Sequence, residues 1–369
     1  NLIMIKFFDI YKQDKTLHKS ILRKIKILFN KGDFILGKEV SLFENNFKNF
    51  CGSNYAISCA NGTDALTLAL KALDLPKNSE VLIPAMTYCS TAFSVFNAGL
   101  KPKLVDTEYL KPTICLEDLK KKISKKTKVI LPVHLYGSTA DLSGIKKIIG
   151  KKKIFLIDDC AQAHGAYDDS IKSKLKKRIG STTDISCFSL YPGKNLGAYG
   201  DAGIITTNNK RFYNKIKKLR NLGSEKKFIH DTIGMNSRLD TLQAIILNEK
   251  LKKLNILNAK RKIIANRYNK EIKNNKIRKI KYSNTSVYHQ YVILTKDRKK
   301  LIKMLTKNNI QYGFHYPYSI NQLNVFKNYY KKKNYYNAEI LAKEGLSLPI
   351  DPNLTNKQLS FIIKIINGI

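Results

Sequence analysis

The chain has 369 residues, of which 67 are Lys or Arg and 28 Asp or Glu, giving a formal charge of +39 with 43 % hydrophobic residues. That length exceeds what a single hydrophobic core usually serves and predicts two domains, a large one over residues 1–250 and a smaller one over 251–369. No apolar run approaches the ~18 residues of a membrane span, and the apolar stretch of the opening "NLIMIKFFDIYKQ" is too short for a signal peptide, so this segment is expected to dock on the fold of a cytoplasmic protein.

The basic excess invites a nucleic-acid reading. The lysines are spread, however, as short clusters on predicted helices: Lys120–Lys122, Lys151–Lys153, Lys215–Lys218 and Lys331–Lys333. No RNP, zinc-finger or helix-turn-helix signature accompanies them. The expectation is a solvated surface that attracts anionic substrates, with no nucleic-acid partner. Cys51, Cys59, Cys89, Cys115, Cys160 and Cys187 are irregularly spaced and mostly sit in apolar runs. They read as reduced core residues, with neither a disulfide frame nor a metal site.

In chain order, β-rich runs are predicted at "YAISCA" (55–60), "EVLIPA" (80–85), "KLVD" (103–106), "VILPVHL" (129–135), "IFLIDD" (154–159), "ISCFSL" (185–190) and "GIITT" (203–207), with helix-like segments between them. Alternation of this kind predicts an α/β fold whose mostly parallel sheet is covered on both faces, with ligands at the carboxyl ends of its strands. A stretch without Gly or Pro, 238–272, has apolar residues at helical spacing and leads into the second domain. The remainder alternates strand and helix as a smaller α+β unit.

Chemistry-bearing residues gather at four predicted strand ends. "NGTDALTLAL" puts Gly62 and Thr63 at a helix start, where free N–H groups and the helix dipole suit a phosphate; the same residues also suit an ordinary capping turn. "PAMTYCSTA" puts Tyr88 past a second strand, either as a face for a flat ring or as a core residue. "IDDCAQAHGA" ends an apolar strand on two acids, and a carboxylate buried there needs a cation. In "FSLYPGKNLGAYGDAG", Lys194 is the only basic residue between Arg178 and Lys210. A lysine among apolar and glycine neighbours has a lowered pKa and suits Schiff-base chemistry. A phosphate cradle, a ring face, an acid for a pyridinium nitrogen and a reactive amine are together what pyridoxal 5′-phosphate requires.

The ordered series "ILGKEVSLFENNF", "ISCANGTDALTLAL", "IPAMTYCSTAFSV", "PVHLYG", "IDDCAQAHGA", "SLYPGKNLGAYGDAG", "GMNSRLDTLQAIIL" and "LSLPIDPNLT" resembles the DegT/DnrJ/EryC1/StrS sugar aminotransferases. The resemblance implies aminotransferase fold type I, with a large domain whose mostly parallel sheet is sandwiched by helices and a smaller C-terminal α+β domain. It implies a homodimer with shared active sites. Lys194 would form the Schiff base with the cofactor and move protons during transamination. Asp159 would hold the pyridine nitrogen protonated, with Asp158 structural; Tyr88 would stack on the ring and Gln162 contact its phenolic oxygen. Gly62, Thr63 and Ser189 would bind the phosphate, joined by Asn236 of the partner subunit. Arg238, His315 and Tyr316 would face the sugar, while His134 and His164 remain core or supporting residues.

The implied reaction moves the amino group of L-glutamate, released as 2-oxoglutarate, onto a nucleotide-linked keto sugar. "GMNSRLDTLQAIIL", "TSVYHQYVI" and "FHYPYSINQL" are most similar to the branch that aminates carbon 3. UDP-2-acetamido-2-deoxy-3-oxo-glucuronate, for a bacterial surface polysaccharide such as the lipopolysaccharide O-antigen, is preferred, because Arg238 suits its carboxylate. The Asn-Ser-Arg triplet also fits enzymes of dTDP-3-keto-6-deoxyhexoses, and a 4-keto sugar is a further alternative. Relatives that dehydrate carry histidine at the position of Lys194, which argues against deoxygenation. A basic nucleic-acid-binding protein and an inactive scaffold that keeps the cofactor are the readings from other classes.

Overall fold

The structure is a computed structural model that describes residues 4–169, 177–226, 228–330 and 334–369. Three helices open the chain, α1 (Ile10–Asp14), α2 (His18–Lys31) and α3 (Lys38–Cys51). Strands and helices then alternate: β1 (Tyr55–Cys59), α4 (Gly62–Lys71), β2 (Glu80–Pro84), α5 (Cys89–Asn97), β3 (Lys101–Val105), α6 (Leu116–Lys122), β4 (Thr127–Ile130), α7 (Leu142–Ile149), β5 (Phe155–Asp159), β6 (Ile185–Ser189), β7 (Gly203–Thr207) and α8 (Lys210–Leu219). A hairpin of β8 (Ser224–Lys226) and β9 (Ile229–His230) precedes α9 (Thr241–Leu251) and α10 (Leu254–Glu271). The C-terminal part holds β10 (Arg278–Lys279), β11 (Tyr291–Leu294), α11 (Arg298–Lys307), α12 (Tyr336–Glu344), β12 (Gly345–Leu348) and α13 (Asn356–Asn367).

The first seven strands form one sheet in the order β1-β7-β6-β5-β4-β2-β3, parallel throughout except for β7, which runs against both of its neighbours. Covered on both faces, these strands are buried along nearly their whole length. A smaller antiparallel sheet, β10-β11-β12, carries the C-terminal part. The parallel strands all end at one edge, and the reversed β7 begins there: Gly203 pairs with both Cys59 and Ser189. This register brings the start of α4 against the end of β6, since a Cβ on Gly62 would lie 2.5 Å from the Ser189 Cβ. Only glycine fits that crossing.

One expectation is corrected and another refined. The strand expected over 129–135 is β4, ending at Ile130; Pro132 has no N–H to continue the ladder, and Val133 makes only an isolated bridge to Asp159. The helical stretch 238–272 divides at Lys252 and Lys253, where Lys253 N donates to Lys250 O at 3.0 Å. Neither residue leaves the right-handed helical region, so no Gly or Pro marks the break. The turn changes what the apolar face meets: Ala244 and Leu247 pack with Phe43 and Phe47 of α3, whereas Ile264, Ala265 and Tyr268 pack with β11, β12 and α13.

Of the lysine clusters, Lys120–Lys122 and Lys215–Lys218 lie on α6 and α8, whereas Lys151–Lys153 form the turn after α7. Lys331–Lys333 fall outside the described residues. The opening segment packs on the C-terminal part: Ile5 N donates to Asn309 O at 2.9 Å, Phe7 N to Gln311 Oε1 at 2.8 Å and Asp9 N to Asp351 Oδ2 at 2.8 Å. All six cysteines are free thiols. Among the described residues no helix is long and apolar enough to cross a membrane.

Candidate active site

A cavity of about 680 Å³ opens at the carboxyl edge of the large sheet. Its floor is the start of α4, where Asn61 caps the helix by accepting from Asp64 N at 2.8 Å. The cap leaves the N–H groups of Gly62 and Thr63 without helical partners, and these residues line the cavity with Ser189. The Thr63 hydroxyl donates to Ser90 Oγ at 2.8 Å, and Ser237 ties the same turn from outside by donating to Asp64 Oδ2 at 2.7 Å.

Asp159 ends β5, buried at 5 % exposure, with Oδ1 accepting from Ala161 N at 3.0 Å and Oδ2 from Thr91 Oγ1 at 2.9 Å. Burial raises its pKa, opposed by those two donors and by the charge of Lys194. A buried carboxylate left in that condition has room for a cationic donor. Lys194 sits in the loop after β6, held by a turn in which its N–H donates to Tyr191 O at 2.8 Å. Loss of solvent lowers its pKa to about 8, and Asp159 pulls the other way. The loop is tight, because a Cβ on Gly197 would lie 2.4 Å from Pro192 O.

Tyr88 is 54 % exposed, so it is no core residue; it stands at the start of α5 with its ring centroid 5.3 Å from that of Tyr316. Gln162 is fixed at both ends, its Oε1 accepting from Tyr136 N at 2.6 Å and its Nε2 donating to Tyr316 Oη at 2.9 Å. Asp158 points to the other face of the sheet, taking hydrogen bonds from His134 Nε2 at 3.0 Å and Thr183 Oγ1 at 2.6 Å. Ala140 N donates to His134 Nδ1 at 3.0 Å, so the ring proton sits on Nε2. His134, Asp158 and Cys160 lie close enough to share a metal ion. Both imidazole nitrogens are already engaged, and burial holds the Cys160 thiol well above its usual pKa, so the cluster reads as a hydrogen-bonded brace.

The DegT/DnrJ/EryC1/StrS aminotransferase family model matches residues 15–367. The chain belongs to this family. It is similar to the dTDP-3-amino-3,6-dideoxy-alpha-D-galactopyranose transaminase of Aneurinibacillus thermoaerophilus, 37 % identical over 366 residues that cover 99 % of each chain. It is also 34 % identical over 361 residues to the UDP-2-acetamido-2-deoxy-3-oxo-D-glucuronate aminotransferase of Pseudomonas aeruginosa, covering 97 % of this chain and 98 % of that one. Among solved structures, S. venezuelae DesV in complex with a ketimine intermediate matches with a TM-score of 0.95 at 31 % identity, over 99 % of this chain and 98 % of that one. The fold is that of the pyridoxal-phosphate sugar aminotransferases, and the chain is a nucleotide-sugar aminotransferase dependent on that cofactor.

The residues present fit the family's cofactor. An under-compensated buried carboxylate, an amine of lowered pKa and a helix start with free N–H groups converge on one cavity. Lys194, Asp159, Gly62, Thr63, Ser189, Tyr88, Gln162 and Tyr316 all line it. His315 lines an adjoining chamber instead, with Nδ1 2.8 Å from Ser347 Oγ. Asn236 and Arg238 lie off this chain's cavity: Asn236 is exposed and bridges Asn221, whose Oδ1 accepts from Arg238 at 3.3 Å. Thr91 escaped sequence reasoning. As one threonine in the first turn of α5 it carries no local signal, and only the tertiary placement of that turn beside the end of β5 sets it on Asp159.

Proposed function

We propose that the chain transfers the amino group of L-glutamate to carbon 3 of a nucleotide-linked keto sugar in the cytoplasm. UDP-2-acetamido-2-deoxy-3-oxo-glucuronate, as a precursor of surface polysaccharide such as O-antigen, is the first candidate and a dTDP-3-keto-6-deoxyhexose the second. The 37 % identity to a dTDP-sugar transaminase supports the second, and the 34 % relative with its UDP-uronate name supports the first. The observation that carries the reading is the amine of Lys194, lowered to about 8, in one cavity with Asp159.

Bound pyridoxal 5′-phosphate supplies an aldehyde that condenses with amines and a protonated ring that takes up an electron pair. Lys194, an amine of lowered pKa in the cavity wall, would hold the aldehyde and would be the group placed to carry a proton. Asp159 keeps the ring nitrogen protonated by supplying the opposite charge. The N–H groups at the start of α4 and the Ser189 hydroxyl bind the phosphate. Tyr88 would offer its ring to the cofactor's, and Gln162, held between Tyr136 and Tyr316, would present its second Nε2 hydrogen to the phenolic oxygen.

The same reading includes a homodimer in which Asn236 of the partner subunit joins the phosphate site. Its support is the exposed apolar surface beside the β8-β9 hairpin, where Leu222, Ile229 and Ile233 are 45 %, 53 % and 90 % exposed. Leu222 and Ile233 line one surface hollow, and exposed apolar groups gathered in this way mark contact surfaces.

The test is to add pyridoxal phosphate and then borohydride to purified protein and map the reduced adduct. It is expected on the peptide containing Lys194, with turnover of a 3-keto sugar nucleotide abolished in Lys194→Ala. Turnover retained in that variant would refute the reading.

A further inference from the structure

Behind Lys194 lies a second chamber of about 270 Å³ that shares Lys194, Gln162, Tyr191 and Tyr316 with the main cavity and has no residue of the phosphate bed in its wall. Among the described residues no Asp or Glu lines it. Its wall includes Arg261 of α10, 2 % exposed, which donates one hydrogen bond, from NH1 to Ile350 O at 3.0 Å, and leaves Nε buried without a partner. Asp351 acts on Arg261 only through space, because its own oxygens are taken by Asp9 N, Gln13 Nε2 and Asn353 N. An arginine so buried and so poorly paired is costly unless something anionic completes it.

The neighbouring histidine offers no anion and no competing charge. The Asn195 side-chain NH₂ donates to Asn258 Oδ1 and Val287 O, which leaves its Oδ1 to accept from His289 Nδ1 at 3.1 Å. His289 Nε2 is then an acceptor facing the Gln290 amide at 3.4 Å, and Gln290 Oε1 is left buried and unpartnered. Burial holds His289 neutral. The positive charge in the chamber is therefore that of Arg261 beside the Lys194 amine.

Resting on the aminotransferase reading, we propose that this chamber seats a carboxylate of the amino-acid donor, with Arg261 as its ion-pair partner. The planar guanidinium presents two parallel N–H groups to a carboxylate, which fixes the orientation of the donor as well as its charge. Lys194 between the two spaces puts the donor's amine beside the cofactor. The shared chemistry, a carboxylate, is also that of a uronate sugar, and the test separates the two sources.

Glutarate, a dicarboxylate with no amine and therefore no chemistry, is titrated calorimetrically into the cofactor-loaded protein at pH 8. Arg261→Gln is expected to raise its Kd about 10- to 100-fold, and Arg261→Lys to recover part of the loss. Gln290→Glu, which adds a negative charge while leaving Arg261 in place, is expected to weaken glutarate similarly, and it decides the matter if Arg261→Gln does not fold. An unchanged Kd in a folded variant, or no glutarate binding by the wild type, overturns the proposal while leaving the Lys194 adduct intact. If Arg261→Gln keeps glutarate affinity but slows amination of the keto sugar, the carboxylate is the sugar's and the donor assignment falls. Loss of the Lys194 adduct instead would sink the underlying reading.

Discussion

Replacing Asp159 with Asn removes one charge and almost nothing else. The Asn side chain keeps an oxygen for Ala161 N, and Thr91 accepts from the new amide by turning its own proton toward Thr87, whose hydroxyl lies 2.8 Å away. The brace around the carboxylate therefore survives, and the fold with it. On the proposed reading, what is lost is a charge-assisted hydrogen bond to a cationic ring nitrogen, worth about 1.4 kcal/mol beyond a neutral one. That corresponds to roughly 10-fold weaker cofactor binding. A second consequence has the opposite sense: Asp159 holds the Lys194 pKa up, so the variant's amine titrates below about 8. Titration of pyridoxal phosphate into the stripped protein, followed by visible absorbance, reads the affinity, and its pH dependence reads the amine. A well-folded Asp159→Asn protein with affinity within about twofold of wild type and full turnover would refute the assignment of the carboxylate to the ring nitrogen, since twofold is only ~0.4 kcal/mol.

The pH dependence of Lys194 itself is a further check. Only the neutral amine attacks an aldehyde, and a lowered pKa leaves the group protonated below about 8 and neutral above it. The rate of cofactor incorporation is expected to rise with pH and level off near 8, and a rise continuing toward the ~10.4 of an ordinary lysine would overturn the claim. Gly62→Ala must displace either α4 or the end of β6, because the new Cβ meets Ser189 Cβ at 2.5 Å. It is expected to cost ~1–3 kcal/mol of stability and to narrow the preference for pyridoxal phosphate over unphosphorylated pyridoxal; an unchanged preference measured by equilibrium dialysis would separate the helix start from phosphate binding.

Most of the main cavity was legible from the chain because each part is local. A capped helix start, an acid closing an apolar strand, an aromatic past a strand and a lone lysine in a glycine-rich loop are each written within ten residues or so, and a parallel sheet brings strand ends to one edge whatever the details of packing. The runs of β1, β2, β5, β6 and β7 are equally plain, since strands buried on both faces read as short, largely apolar segments between helix-like ones. The end of β4 is not legible in the same way, because the apolar residues on both sides of Pro132 continue the run beyond the last strand residue, Ile130.

The second chamber had no such signature. Phe7, Lys194, Arg261, His289 and His315 are scattered over more than three hundred residues, and nothing near Arg261 in its lysine-rich helix distinguishes it from its exposed neighbours Lys260 and Lys262. Its burial follows from the turn at Lys252 and Lys253, which swings α10 onto the C-terminal sheet with its Arg261 face inward. Local sequence set which residues could bind a phosphate, a ring nitrogen and an aldehyde. Which arginine lost its water was decided only when distant segments closed over it, because desolvation depends on everything packed around a group and not on its neighbours in the chain.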